Sequence, residues 1–263
     1  MKKYALLFSL VAFTVVSCTR VPITNRKQLN LLPESELIAM AKANYAEFLA
    51  SANVLPLGDQ RAARVKNMGD KLVKSVEKFL KDNHQEKRIK GFEWEFKTVL
   101  DPTVNAWCMP GGKVCVYTGI LDIATDDDML AVIMGHELAH AVARHGNERM
   151  SQQLSVQGVG SLAGLNKNNP DQANNLFKQS YGIASTLGIL RFSRRHETES
   201  DKMGLVFMYM AGYKPEKAVD FWEKMSALSG GGKPLEILST HPSDETRIKD
   251  IKEFLPEVPK YVK

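Results

Sequence analysis

Gly135-His136-Glu137-Leu138-Ala139-His140, preceded by the apolar run Met129-Leu130-Ala131-Val132-Ile133-Met134, decides how the rest of the chain is read. No Gly or Pro interrupts residues 126–134, and the apolar face predicts a helix on which His136 and His140 stand four apart on one side. Two imidazoles at that spacing can ligate one Zn²⁺, and Glu137 then points beside the metal, where it can take a proton from water. Thr125-Asp126-Asp127-Asp128 caps the start of this helix with anionic residues that suit its dipole. The helix is expected to run on through Ala143 towards Met150.

Working upstream, Phe92, Trp94 and Phe96 alternate with Glu93, Glu95 and Lys97, which is the pattern of a half-exposed strand. Thr103 to Cys108 and Val114 to Tyr117 read as two further strands around Pro110-Gly111-Gly112-Lys113. In that hairpin Cys108 and Cys115 would lie directly opposite, leaving either a disulfide or, as is commoner, two small buried side chains. Thr118 to Leu121 starts a short helix. Downstream, Ser155 to Gly164 is rich in small residues and Asn166 to Asp171 is a polar turn. A helix is then expected over about Gln172 to Leu190, and Gly230-Gly231-Gly232 is a loop.

A catalytic zinc with two His ligands still requires a third protein ligand. Ser193-Arg194-Arg195-His196-Glu197-Thr198-Glu199-Ser200-Asp201 opens a helix on which Glu197 and Asp201 share a face. One of the two can bind metal while the other accepts the N–H of a ligating His. An acidic cluster of this kind is, taken alone, more often a solvated helix face.

Towards the N-terminus, Pro33-Glu34-Ser35-Glu36 opens a helix to about Ala52, with Leu37, Met40, Ala41, Tyr45 and Phe48 as its buried stripe. A second helix follows Gly58 and carries Val65, Met68, Leu72, Val73, Val76 and Phe79. Residues 19–32 read as an extended tether wrapping onto the domain. Residues 1–18 read as a leader, with Lys2 and Lys3 ahead of an apolar core too short to span a bilayer. Its end, Val15-Val16-Ser17-Cys18, resembles a bacterial lipobox in which Cys18 is lipidated; an ordinary secretory leader with a stray Cys is the alternative. The formal charge of +5 falls by two, to +3, without Lys2 and Lys3, too mild to argue for nucleic acid.

These motifs together resemble the gluzincin metallopeptidases that include the HtpX, CAAX prenyl protease and mitochondrial Oma-type enzymes and the bacterial lipoprotein peptidases of the LoiP and BepA kind. The resemblance covers about Val21 to Leu255. In that family the later helix carries E-x-x-A-D, matched here by Glu197 to Asp201 with Ser200 in place of Ala. It implies that Glu197 is the third zinc ligand and that Asp201 supports a ligating His. Asn105-Ala106, Pro110-Gly111-Gly112 and Tyr117-Thr118-Gly119 are similar to the family's strand segment, against which an extended peptide could add. Ser239-Thr240-His241-Pro242-Ser243 with Arg247-Ile248 is similar to its S-T-H-P element, which implies that His241 stabilises an oxyanion or restricts access. The lipoprotein peptidases, LoiP above all, are the best likeness, since no membrane-spanning helices follow the leader.

The expectation is therefore one mainly helical α+β, zincin-like domain over residues 33–263, with a small antiparallel or mixed sheet beside the motif helix. It would hold one Zn²⁺ on His136, His140 and Glu197 and use Glu137 and His241 in hydrolysing internal peptide bonds of unfolded or misassembled envelope proteins. The lipobox resemblance, with Thr19 after the Cys in place of an acidic residue, further implies an outer-membrane lipoprotein anchored through Cys18 and facing the periplasm. A latent or non-cleaving, chaperone-like binding protein is the alternative.

Overall fold

The apolar run ahead of His136 folds as a buried helix around which the other elements are layered. This computed structural model describes residues 18–156, 169–181, 192–229, 237–238, 241 and 245–262. Two short strands, β1 (Cys18–Arg20) and β2 (Lys27–Leu29), precede helices α1 (Glu34–Ser51) and α2 (Gln60–Asp82) and a 3₁₀ turn at Glu86–Ile89. Strands β3 (Glu95–Val99), β4 (Ala106–Met109) and β5 (Lys113–Tyr117) lead into α3 (Thr118–Leu121) and the motif helix α4 (Asp127–Ala143). After it come α5 (His145–Val156), α6 (Pro170–Ser180), α7 (Arg194–Met210), α8 (Lys217–Ser229), α9 (Glu245–Phe254) and a 3₁₀ helix at Leu255–Tyr261. The architecture is α+β and mainly helical, with two small sheets among the described residues.

Every residue of α4 from Met129 to Ala143 is buried, as expected of a helix that is apolar nearly all round. Asp126 caps it, the side chain accepting from the N–H of Met129 at 2.8 Å. Helix α7 crosses α4 at a pair of facing glycines. A Cβ on Gly204 would stand 2.9 Å from the backbone nitrogen of His136, and one on Gly135 would stand 3.1 Å from the oxygen of Gly204. Only glycine permits that approach without displacement, and it brings the carboxylates of α7 to the imidazoles of α4.

In the three-stranded sheet the order is β3-β5-β4, with β3 parallel and β4 antiparallel to β5. Strand β4 is one of the two edges and packs on α4. The alternating run from Phe92 enters this sheet late: Phe92 and Trp94 pack against the core, and pairing begins at Glu95. The hairpin also differs from the sequence reading. Met109 faces Lys113 across a three-residue loop in which Gly111 and Gly112 both have positive φ, so Cys108 stands opposite Val114 and Cys115 opposite Trp107. A shift of one residue turns alternate side chains to opposite faces, and the two cysteines are free and buried in different clusters.

Helix α4 also stops earlier than expected. Arg144 takes a left-handed conformation (φ 59°), and its N–H closes on the oxygens of His140 and Ala141. Such a backbone costs a non-glycine residue about 1 kcal/mol or more. It is held by the Arg144 side chain, whose Nη2 donates to the oxygens of Lys87 and Arg88 at 3.1 and 3.0 Å. The chain turns there, and α5 restarts at His145. The expected helix beyond Gln172 is described as α6, and its part over residues 182–190 lies outside the described residues, as does Gly230-Gly231-Gly232. The S-T-H-P element is described only at His241.

Candidate metal centre

Four buried side chains converge at the middle of α4: His136, His140, Glu197 and His241, each offering one donor atom within 4.8 Å of the others. His136 Nε2 and His140 Nε2 are 3.0 Å apart. The Glu197 oxygens stand 3.4 Å from each of those nitrogens. His241 Nδ1 is 3.2 Å from His136 Nε2 and 3.1 Å from Glu197 Oε1. Donors around a tetrahedral zinc at about 2.1 Å are roughly 3.4 Å apart, so the two imidazoles and the carboxylate fit such an ion in both donor type and spacing.

Burial disfavours charge on all of these groups, and specific partners decide each outcome. Burial would raise Glu197, but His241 and Arg247 outweigh it and hold the carboxyl well below its usual range. Burial and then Arg247 push His136 down, yet hydrogen bonds to Asp201 and Glu197 prevail and lift it to about 9. His140 has weaker support and lies well below the usual imidazole value. Burial likewise raises Glu137, whose Oε1 has no hydrogen-bond partner among the described residues and lies 3.6 Å from His241 Nε2.

The surroundings fix these groups in two directions. On one side His136 Nδ1 lies 2.8 Å from Asp201 Oδ1. Arg247 of α9 grips the same carboxylate through Nε and Nη2 at 2.8 and 2.7 Å, reaches Glu197 through Nη1 at 2.9 Å, and stacks 3.4 Å over Trp222. On the other side His140 Nδ1 meets His145 Nδ1 at 3.0 Å, and His145 Nε2 meets Glu199 Oε2 at 3.1 Å. The N-terminal segment closes this second side. Arg26 donates to Glu199 at 2.7 and 2.9 Å and to Glu148 at 2.6 and 2.7 Å, and Gln28 donates to the oxygen of Ala143 at 2.6 Å. A cleft opens over the centre, lined by Ala106, Trp107 and Cys108 of the β4 edge, by Glu137 and His140, and by Tyr181 and Phe192.

The structure thus brings together His136, Glu137, His140, Glu197, Asp201 and His241 as the sequence suggested. Cys18 is remote from this arrangement in role: it opens β1 with its backbone opposite Leu29, while the leader, residues 1–17, lies outside the described residues. Sequence reading missed Arg26, His145, Glu148, Glu199 and the work of Arg247. Only Arg247 carried a signal, through its place in the C-terminal element of the resemblance.

A buried H-E-x-x-H helix crossed by a carboxylate-bearing helix, with an edge strand along the cleft, defines a zincin-like metallopeptidase domain. Residues 59–255 match Peptidase family M48, and the chain belongs to that family of metallopeptidases. Over 90% of its length it is 34% identical to the mitochondrial metalloendopeptidase OMA1 of Schizosaccharomyces pombe, covering 66% of that protein. It is 30% identical to the human mitochondrial metalloendopeptidase OMA1 over 98% of this chain and 49% of that one. A more distant match is the beta-barrel assembly-enhancing protease of Escherichia coli, 26% identical over 60% of this chain and 33% of the relative. The chain therefore spans about one third to two thirds of the length of these relatives. The comparisons correct the expected placement as an outer-membrane lipoprotein facing the periplasm: the relatives above at 30% identity or more are mitochondrial by name. Among the described residues no helix is long and apolar enough to cross a membrane.

Proposed function

We propose that the protein is a zinc-dependent endopeptidase that hydrolyses internal bonds of extended polypeptides, with unfolded or misassembled proteins as its substrates. The observation that carries this reading is the convergence of His136 Nε2, His140 Nε2 and the Glu197 carboxylate at tetrahedral spacing, with Glu137 beside them on the wall of an open cleft. When bound there, zinc supplies a Lewis acid for the scissile carbonyl and lowers the pKa of a water.

The chain's own groups perform the remaining tasks. The edge strand β4 receives the substrate backbone as an added strand, which selects extended chain over folded domains. Glu137 takes the proton from the attacking water and returns it to the leaving amine; its burial suits a carboxylate that must also act as an acid. His241 Nε2, on the Glu137 side, is placed to donate to the developing oxyanion. Asp201 holds the ring of His136, and Arg247 holds Asp201.

His241 Nδ1 also lies close enough to the other donors to complete a four-donor set, which supports a second reading, a latent form in which this histidine restricts access. Cleavage of casein by the zinc-loaded full chain, beside Glu137→Gln and a chelated sample, tests the proposal. Cleavage that disappears in both controls is expected. A folded, zinc-containing protein that leaves casein intact would favour the latent, binding-only reading.

A further inference from the structure

The surroundings of His140 form a second buried relay, built from parts that the peptidase chemistry itself does not need. For His140 to present the Nε2 lone pair to a metal, its neutral ring must carry the proton on Nδ1. That N–H points at His145 Nδ1, 3.0 Å away, which must therefore accept. The His145 proton then resides on Nε2, from which it donates to Glu199 Oε2 at 3.1 Å. Glu199 also accepts from Arg26 Nε and Nη2 and from the Thr24 hydroxyl at 2.8 Å, so its charge is met and its orientation fixed from the N-terminal hairpin. Each donor in this series finds an acceptor, and one choice of tautomer satisfies all of them.

We propose that His145 and Glu199 are positioning residues of the metal centre, which hold His140 in its ligating tautomer and orientation and are themselves locked by Arg26. The arm rests on the reading of His140 as a zinc ligand. It explains two features that otherwise stand alone. The left-handed turn at Arg144 is what carries His145 back to face His140, five residues earlier. The departure of this chain from the E-x-x-A-D pattern, Ser200 for Ala, also falls on the arm: its Oγ lies 3.2 Å from His145 Nδ1.

The test compares His145→Leu, His145→Asn and Glu199→Gln in the full chain, with His140→Ala as the control on the centre itself. The zinc dissociation constant is measured by competition with a chromogenic chelator, beside the thermal melt of each zinc-free protein. An Asn side-chain oxygen can take the place of Nδ1 and accept from His140, whereas Leu cannot. His145→Leu is expected to weaken zinc binding roughly 10–100-fold, with Asn recovering most of that loss while the two zinc-free melts lie together. Glu199→Gln, which keeps an acceptor for His145 but loses its charge, falls between wild type and His145→Leu. A purely structural His145 would give melts that fall without separating Leu from Asn in zinc affinity, and that result overturns the proposal. So does zinc binding by His145→Leu within twofold of wild type while His140→Ala is impaired. If His140→Ala itself binds zinc normally, the metal-centre reading falls and the arm with it.

Discussion

The two histidines of the motif are held in opposite styles. His136 is fixed by a short arm: Asp201 touches it directly, and Arg247, from a helix packed on α7, completes the contact. His140 is fixed by a long arm, through His145 and Glu199 to Arg26, which lies 173 residues from Glu199 in the chain. The short arm keeps a carboxylate directly on the ligand, while the long arm ties the centre to the N-terminal hairpin. The ligand geometry is consequently sensitive to a segment that contributes nothing to the cleft.

The largest effect expected belongs to neither arm. Glu137→Gln should lower turnover of a peptide substrate roughly 10²–10⁴-fold while zinc content and affinity stay as in the wild type. A variant that also lost zinc would place Glu137 among the ligands and dissolve the separation between holding the metal and moving the proton. Next come the arms themselves. Asp201→Asn should weaken zinc by about 10-fold, less than His145→Leu, because its side-chain oxygen can still accept from the His136 ring and only the charge is lost. Since the arms hold different histidines, the double variant should show close to the product of the single effects. A loss well short of that product would mean that the arms are one coupled network.

The carboxylate of the short arm was legible in the sequence, while the work of Arg247 and the whole of the long arm were not, for a physical reason. Glu197 and Asp201 sit at i and i+4 of one helix, so spacing places both carboxylates on one face, and the family resemblance turned that face towards the motif helix. The helices, the apolar stripes and the capping at Asp126 were readable on the same ground, since each depends on neighbours within a turn or two. The long arm depends on a left-handed residue that is not glycine, Arg144, and on a hairpin from the far end of the chain; no local pattern announces either. The cysteine hairpin failed by one residue because two consecutive glycines permit a three-residue loop as readily as a four-residue one. The glycine crossing was equally silent, since Gly135 and Gly204 gain their meaning only when α4 and α7 meet.

That crossing supports both arms, because it sets the distance from α7 to either histidine. Gly204→Ala must push the helices apart by some tenths of an ångström, the added Cβ standing 2.9 Å from the His136 nitrogen. Overpacking of this kind is expected to cost about 2 kcal/mol, read as a lower melting temperature of the zinc-free protein. The loss of zinc affinity should be shared between the arms, so that His145→Leu and Asp201→Asn in this background each have a smaller further effect. Full effects of both would show that the arms position their histidines independently of the crossing.

The smallest effect probes the far end of the long arm through pH. Glu148 shares Arg26 with Glu199 and also accepts from His196 and Gln28. Burial would raise its carboxyl, but Arg26 and His196 outweigh that and hold it far below its usual 4.5. A carboxyl depressed in the folded state adds stability that is fully present above its unfolded value and is lost as pH falls from there towards the folded value. Glu148→Gln in zinc-free protein should therefore be less stable than wild type at pH 7, by about 1.5 kcal/mol for a charged buried hydrogen bond. The gap should narrow steadily below about pH 4.5, where the unfolded carboxyl takes up its proton. A gap that stays constant from pH 7 to pH 3 would mean that Glu148 acts by packing alone, and that Arg26 secures the long arm through Glu199 without sharing its charge.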